Sequence, residues 1–470
     1  MAAIILEPEA WAEMEFGECE LGDIRRNKRL IKLAVQTAAR PDEGTPDQTE
    51  TWGDCKAAYR LFNAADISFQ ALIEPHCQHT REACMPGDVK LILNDTTEIK
   101  FTSHRAATGL GSVGCGGKQK GFFIHSGLMV NAHSKSIDGL AGQDLFHRPS
   151  PKSKRGAKNT RRRDPQRETA VWGRLIDQIG APPLGVKWLH VCDRGADDYE
   201  VMLRALRQNC GFVIRAAKLN RIVDILAENG DFCSPSLAKY LDGLPSQGER
   251  EIQVKATGKQ AARVAVVTLR FGDIVLPEPK VITPWIREHR PSEPLRVRVV
   301  ELREMSPPPG CEPIRWVLYT TELVASVAEA EVVINYYERR WTIEDYHKCF
   351  KTGCAIEKRC YHTAERLERV AGFLSIVAVR LLRLRTAAME TPQLPAREIA
   401  PQSWIAMLKI VRKIAKEKEL TVYEFVRALG GLGGHLGRKG DGEPGWITLW
   451  RGYEKLQLLM RGYHAAKKCG

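Results

Sequence analysis

No uninterrupted apolar run approaches the roughly 18 residues that a membrane-spanning helix needs, and the first residues, MAAIILEPEAWAEMEF, lack a basic stretch leading into an apolar one. A soluble, intracellular protein acting in the cytoplasm, with no membrane partner, is therefore expected. The 13 cysteines include no CxxC pair, the spacing used for zinc ribbons and disulfide exchange, so reduced thiols are expected. The tightest cysteine group, Cys349, Cys354 and Cys360 beside His347 and His362, matches no zinc template. Internal repeats are absent, which excludes a repeat architecture.

What is present is size and positive charge. A chain of 470 residues with 43% hydrophobic content suffices for a substantial core. At roughly 100–200 residues per domain it holds about three domains. A formal net charge of +13 favours a polyanionic partner, nucleic acid before a membrane surface. The charge is concentrated: Lys152, Lys154, Arg155, Lys158, Arg161, Arg162, Arg163 and Arg167 share one Ser/Gly/Pro-containing loop. Such a run is commonly a solvated loop, and it also suits displacement of counterions from phosphates.

Residues 1–70 read as helical. In LGDIRRNKRLIKLAVQTAAR, the apolar residues Leu30, Ile31, Leu33, Ala34 and Ala38 recur at helical spacing, and Arg25, Arg26, Lys28 and Arg29 crowd the first turns. Cations at a helix start oppose its dipole, which points to a partner and makes this a candidate DNA-binding domain. From residue 71 to 380 the texture is mixed. VKLILND, GFFIHSGLMVNAHSKS and DGLAGQDLF read as a three-strand meander, followed by helix and strand in alternation through VKWLHVCD and GFVIRA. Alternating stretches at about 240–320, separated by Pro and Gly clusters, read as an antiparallel β insertion. Residues 381–470 return to helix, with a Gly-rich loop, LGGLGGHLGRKGDGEPG, before the last one.

Asp95 follows the strand LILN and Asp193 follows the strand WLHVC, so each carboxylate is expected at the end of a rigid strand. Such an Asp commonly caps a turn, and two of them with a distant Glu also suit a metal site. Farther along, Tyr337, Arg340, Glu344 and Lys351 are spaced by three, four and seven residues. At about 100° per residue they lie within roughly 60° of one another on a helix. A solvated face with an Arg340–Glu344 pair accounts for the charges, but neither Tyr337 nor the neighbouring Trp341 suits a wet surface.

NDTTE around Asp95, VCDRGAD around Asp193 and Tyr-x2-Arg-x3-Glu-x6-Lys within NYYERRWTIEDYHKCFKTG resemble the DDE transposases of the IS-four type, in the branch of the Tn-five transposase. The likeness extends from LGDIRRNKRL through AAYRLF and GFFIHSGLMV to LSIVAVRLLRLR and LWRGYEKLQ, nearly the whole chain. It implies an α/β fold: an RNase H-like mixed-sheet core, interrupted by the β insertion and flanked by helical N- and C-terminal domains. Asp95, Asp193 and Glu344 would be the metal ligands for two Mg²⁺ ions per active site, with Mn²⁺ as a substitute. Two hard cations about 3.5–4 Å apart can activate water or a 3′-hydroxyl and stabilise the leaving oxygen.

By the same resemblance, Tyr337, Arg340 and Lys351 form a phosphate clamp, Trp316 stacks on a base flipped out during hairpin formation, and Arg215 contacts DNA. The partners implied are double-stranded DNA, as transposon ends and target, and a second copy of the chain joined through the C-terminal helices. The activity implied is cut-and-paste transposition. Its rivals are a metal-dependent nuclease of the same fold and a cleavage-dead DNA-binding derivative. The basic loop and the stretch GSVGCGGKQKGFF are richer in cations and glycine, respectively, than the family pattern leads one to expect.

Overall fold

The computed structural model describes residues 6–104, 106–148, 163–165, 167–226, 232–254, 262–438 and 440–469. Of the loop cations, Lys152, Lys154, Arg155, Lys158, Arg161 and Arg162 lie outside the described residues.

The N-terminal region is helical, as its periodicity predicts: α1 (Pro8–Phe16), α2 (Ile24–Ala39), α3 (Thr45–Gln48), α4 (Trp52–Asn63) and α5 (Phe69–Glu82). Side-chain caps start three of them. Asp23 accepts from Arg25 N at 2.8 Å, Thr51 from Asp54 N at 3.1 Å and Ser68 from Ala71 N at 3.0 Å, each satisfying an amide that the helix leaves unpaired. The Asp23 carboxylate also offsets the cations in the first turns of α2.

The sheet is built from β1 (Val89–Lys100), β2 (Gly111–Val113), β3 (Gln119–Asn131), β4 (Ile137–Phe146), β5 (Lys187–Cys192) and β6 (Gly211–Arg215). β1, β3 and β4 form the expected antiparallel meander. β5 pairs parallel with β1 and β6 parallel with β5. The helices α6 (Val171–Ile179) and α7 (Tyr199–Arg207) precede β5 and β6, as parallel crossovers require. The resulting strand order β4–β3–β1–β5–β6 is the RNase H-like core.

The expected β insertion proves to be a continuation of that sheet. Past a short pair, β7 (Ile225–Leu226) with β8 (Phe232–Cys233), the chain forms α8 (Leu237–Gly243), β9 (Gly248–Val254), β10 (Arg263–Leu276), α9 (Pro284–Glu288), β11 (Leu295–Glu304) and β12 (Arg315–Thr320). β12 lies antiparallel against β6, so a single ten-stranded sheet ends β6–β12–β11–β10–β9. Along β10 the period-2 pattern holds: Ala265, Val267 and Leu269 are buried while Val264 and Val266 are exposed.

Each face of the sheet carries its own core. On one face the N-terminal helices, α10 (Val327–Glu338), α11 (Trp341–Lys348) and the C-terminal helices share a continuous cluster that includes Leu30, Leu93, Ile124, Tyr346 and Tyr453. On the other, α6 and α7 pack with Ile92, Trp188 and Phe212. The long helix α12 (Ala364–Glu390) spans the sequence boundary at 380, so the catalytic and C-terminal regions share one rod.

α13 (Gln402–Val411), α14 (Val422–Leu432) and α15 (Trp446–Cys469) complete the chain. The Gly-rich stretch here is partly helical and marks a close crossing. A Cβ on Gly433 would stand 1.8 Å from Thr448 O, and one on Gly452 1.9 Å from Leu429 O, so α14 and α15 meet where only glycine fits. No helix among the described residues is long and apolar enough to cross a membrane.

Candidate active site

The last rung of the β1–β5 parallel ladder is Asn94 opposite Cys192. Asp95 and Asp193 are the next residues on their strands, so the two carboxylates leave the sheet side by side at the carboxyl ends of its parallel pair. Asp193 ends β5 as expected. Asp95 does not end β1, which continues to Lys100 because it stays paired with β3 along that whole length. What ends at Asp95 is the pairing with β5. Asp95 Oδ1 accepts from Thr96 N at 2.9 Å, and Asp193 Oδ1 accepts from Gly195 N at 2.7 Å, so Asp193 also caps the turn that follows.

Glu344 arrives from α11, which packs against β1. The residues Tyr337 to Lys351 were expected on one ideal helix, and the backbone departs from it twice. At Arg339–Arg340 the helix breaks, with 3₁₀-type bonds from Arg340 N to Tyr337 O at 3.0 Å and from Thr342 N to Arg339 O at 2.9 Å. At Cys349–Gly353 it widens into a π turn, closed by Cys354 N to Cys349 O at 2.7 Å. The tight turn and the wide turn shift the phase in opposite senses, and Arg340, Glu344 and Lys351 all remain within electrostatic reach of Asp95.

Arg340, though buried, donates from Nη2 to Glu344 Oε1 at 2.9 Å and holds Nη1 3.7 Å from Asp95 Oδ2. Burial, and then the negative charge of Asp193 with a smaller part from Glu344, pushes the Asp95 carboxyl up to about 6 against the pull of Arg340. The three carboxylates thus lie within electrostatic reach of one another. Burial pushes the Lys351 ammonium down despite the negative charges of Glu357, Glu98 and Asp95 nearby.

Among the described residues, no three His, Cys, Asp or Glu side chains stand close enough together to form a metal cage as they lie. The chemistry of the donor set nonetheless fits hard divalent cations. It consists of carboxylate oxygens, and a double positive charge would relieve the repulsion seen in the Asp95 shift.

Beside the acidic group runs a chain of rings and cations. Arg215 lies 5.9 Å from the Trp316 ring, Trp316 meets Tyr337 edge-on at 5.3 Å, and Arg340 lies 5.9 Å from the Tyr337 ring and 4.9 Å from that of Trp341. Trp316 is half-buried, whereas Tyr337 is 2% exposed, so its ring belongs to the core under the site. In the N-terminal region Arg26 donates to Leu21 O at 2.9 Å and pairs with Asp66 at 2.5 Å, tying α2 to the loop after α4. Arg25 is exposed and Arg29 half-buried; Lys28 and Lys32 extend the exposed basic face that Arg25 begins.

Sequence reasoning missed two buried histidines beneath the acidic group, His125 and His190, and weighed His347 only as a neighbour of the cysteine group. The signal was available: a histidine inside the apolar runs GFFIHSG and WLHVC is out of place unless it is partnered.

Comparison with protein families agrees with this geometry. Residues 8–67 match a transposase DNA-binding domain, residues 166–380 a transposase DDE domain, and residues 376–469 the Tn5 transposase dimerisation domain. The chain belongs to the Tn5-like DDE transposases. It is a DNA transposase, an enzyme of a class that uses divalent metal ions, and it carries domains for DNA binding and for homodimer formation. The DDE match contains Asp193 and Glu344; Asp95 precedes it.

Proposed function

We propose that this transposase binds the terminal inverted repeats of its element as a DNA-bridged homodimer and cuts and joins them at one carboxylate site. A nick frees a 3′-hydroxyl, the hydroxyl attacks the opposite strand to form a hairpin on the transposon end, water reopens the hairpin, and the 3′-end is joined to target DNA. Each step is an in-line phosphoryl transfer. The single observation that supports this most is the placement of Asp95 and Asp193 one residue beyond the last parallel rung, with Glu344 brought toward them by α11.

In this reading Asp95, Asp193 and Glu344 hold two Mg²⁺ ions, or Mn²⁺ in their place. When bound, these supply Lewis acidity to the attacking and leaving oxygens. Arg340 and Lys351 grip the phosphates of the cleaved end, while Tyr337, expected in the same clamp, is buried and braces Arg340 and Trp316 instead. Trp316, with Arg215 over its ring, receives the base displaced during hairpin formation. The N-terminal region, residues 1–70, with Arg25, Arg26 and Arg29, engages the end; residues 71–380 do the chemistry; and residues 381–470 hold the dimer.

The test is incubation of the purified protein with end duplexes and a plasmid target in Mg²⁺, resolving nicked, hairpinned, cut and joined products. Hairpins and ends covalently attached to the plasmid are expected. Cut ends without joining would identify a nuclease of the same fold, and binding without any cleavage would identify a cleavage-dead derivative.

Two further outcomes follow from the geometry. Arg340→Ala and Lys351→Ala weaken retention of the cleaved end by about tenfold, and the defect grows between low and moderate salt because the lost attraction is electrostatic. A native gel of end complexes across a salt series reads this. Gly452→Val forces α15 off α14 at a crossing with no room for a side chain. It abolishes paired-end complexes while single-end binding persists, and a native gel with two end lengths separates the two species.

A further inference from the structure

Three consecutive residues of β1 are each met by a buried histidine from a different element. His190 on β5 places Nδ1 3.2 Å from the Asn94 amide nitrogen, and His125 on β3 places Nδ1 2.7 Å from the Thr96 hydroxyl. His347 on α11 places Nδ1 4.0 Å from Asp95 Oδ2. All three rings are buried, and Nε2 of each lacks a hydrogen-bond partner among the described residues.

Only His347 faces a carboxylate. Asp95 Oδ1 is already committed to Thr96 N at 2.9 Å, while Oδ2 lies between Arg340 Nη1 at 3.7 Å and His347 Nδ1 at 4.0 Å. Arg340, Glu344 and His347 follow at i, i+4 and i+7, so one helical stretch addresses the same oxygen from two sides. Both separations exceed a hydrogen bond by under about 1 Å.

The two groups differ in what they do to the carboxylate. A guanidinium cancels its charge and competes with a metal ion. An imidazole facing the oxygen can instead hold it in place, which is how outer-shell donors orient metal ligands.

We infer that His347 is a positioning residue whose buried imidazole, with Nδ1 facing Asp95 Oδ2, fixes that carboxylate for divalent-ion binding. The inference rests on the proposed metal role of Asp95. His125, bonded to Thr96 and packed edge-on against Trp172 at 4.4 Å, holds the same stretch of β1 from the other side.

The test compares full-length wild type with His347→Phe, which keeps the ring volume and loses the donor, and His347→Gln, which keeps a donor. Mn²⁺ binding to the end complex is followed by electron paramagnetic resonance, alongside the Mg²⁺ concentration giving half-maximal cleavage and the melting temperature. In His347→Phe, Mn²⁺ binds about tenfold more weakly and the half-maximal Mg²⁺ concentration rises about as much, with end binding unchanged; His347→Gln recovers most of both. Unchanged Mn²⁺ affinity in His347→Phe, whatever happens to its melting temperature, would reduce His347 to a packing residue and overturn the inference, as would equal defects in both variants. Failure of wild type and Asp95→Asn to differ in Mn²⁺ binding would overturn instead the reading of the site on which it rests.

Discussion

Asp95→Asn gives a transposase that melts higher than wild type and cuts DNA roughly a thousandfold more slowly. The two effects have one cause. Burial beside Asp193 and Glu344 moves the Asp95 carboxyl from its ordinary 3.8 up to about 6, so the folded protein holds that proton more tightly than the unfolded chain does. For such a group the sign runs against stability as pH rises. No penalty exists below about pH 3.8; it develops between there and pH 6 and is complete above. The full shift corresponds to about 3 kcal/mol. The substituted amide is uncharged and its oxygen still accepts from Thr96 N, so in the absence of divalent ions at pH 8 the variant gains a few degrees, and the gain vanishes near pH 4. Cleavage moves the other way. If the carboxylate supports about 4 kcal/mol of transition-state charge stabilisation through bound cations, the variant loses roughly a thousandfold in rate. Asp193→Asn and Glu344→Gln lose cleavage to a similar extent, and all three retain end binding. Thermal melts across pH and a single-turnover nicking assay check both halves. Cleavage near the wild-type rate in any one of the three would remove that residue from the site.

Much of the architecture was legible because local pattern and tertiary role agree. The meander, the buried strand before Asp193 and the helices of both ends carry periodicity and caps that survive in the fold. Three features were not legible, for reasons of distance and phase. The run NDTTEIK reads as a turn after LILN because Asn, Asp and Thr favour turns, yet antiparallel pairing with β3 holds β1 extended to Lys100. The stretch at 240–320 shows its strands but not that β12 lies beside β6, since a register of this kind depends on partners about a hundred residues away. The break at Arg339–Arg340 sits in good helix-forming sequence, and the π turn at Cys349–Gly353 carries no local signal that tells it from an ordinary helix end. They are imposed by packing: Ile343, Tyr346, Cys349 and Phe350 are buried in the same core as α12. The candidate acidic residues could be read as a set only through the family motif, because nothing local in the sequence brings Glu344 to Asp95.

Trp316→Ala slows hairpin formation by about tenfold to a hundredfold and leaves the first nick nearly unaffected. Only the hairpin step requires the strand to bend sharply and a base to leave its stack, and base–aromatic stacking contributes about 1–3 kcal/mol. The surroundings of Trp316 complicate a simple truncation. Its ring packs edge-on against the buried Tyr337, and Tyr337 in turn lies against Arg340, so losing the indole disturbs the residue that bonds Glu344. A disturbance relayed through Arg340 would slow every phosphoryl transfer at the site, nick and hairpin alike. Trp316→Phe separates the two routes, because a phenyl ring fills much of the gap beside Tyr337 while offering a smaller stacking face. The expected order for hairpin formation is wild type, then Trp316→Phe, then Trp316→Ala, with nicking nearly level across the three. Arg215→Ala, which removes the cation over the indole while leaving the Tyr337 contact intact, should fall between wild type and Trp316→Ala in the hairpin step. A time course resolving nicked, hairpinned and fully cut ends distinguishes these cases. If Trp316→Ala slows nick and hairpin equally and Trp316→Phe restores both, the tryptophan acts through packing on Tyr337, and the stacking role must be withdrawn.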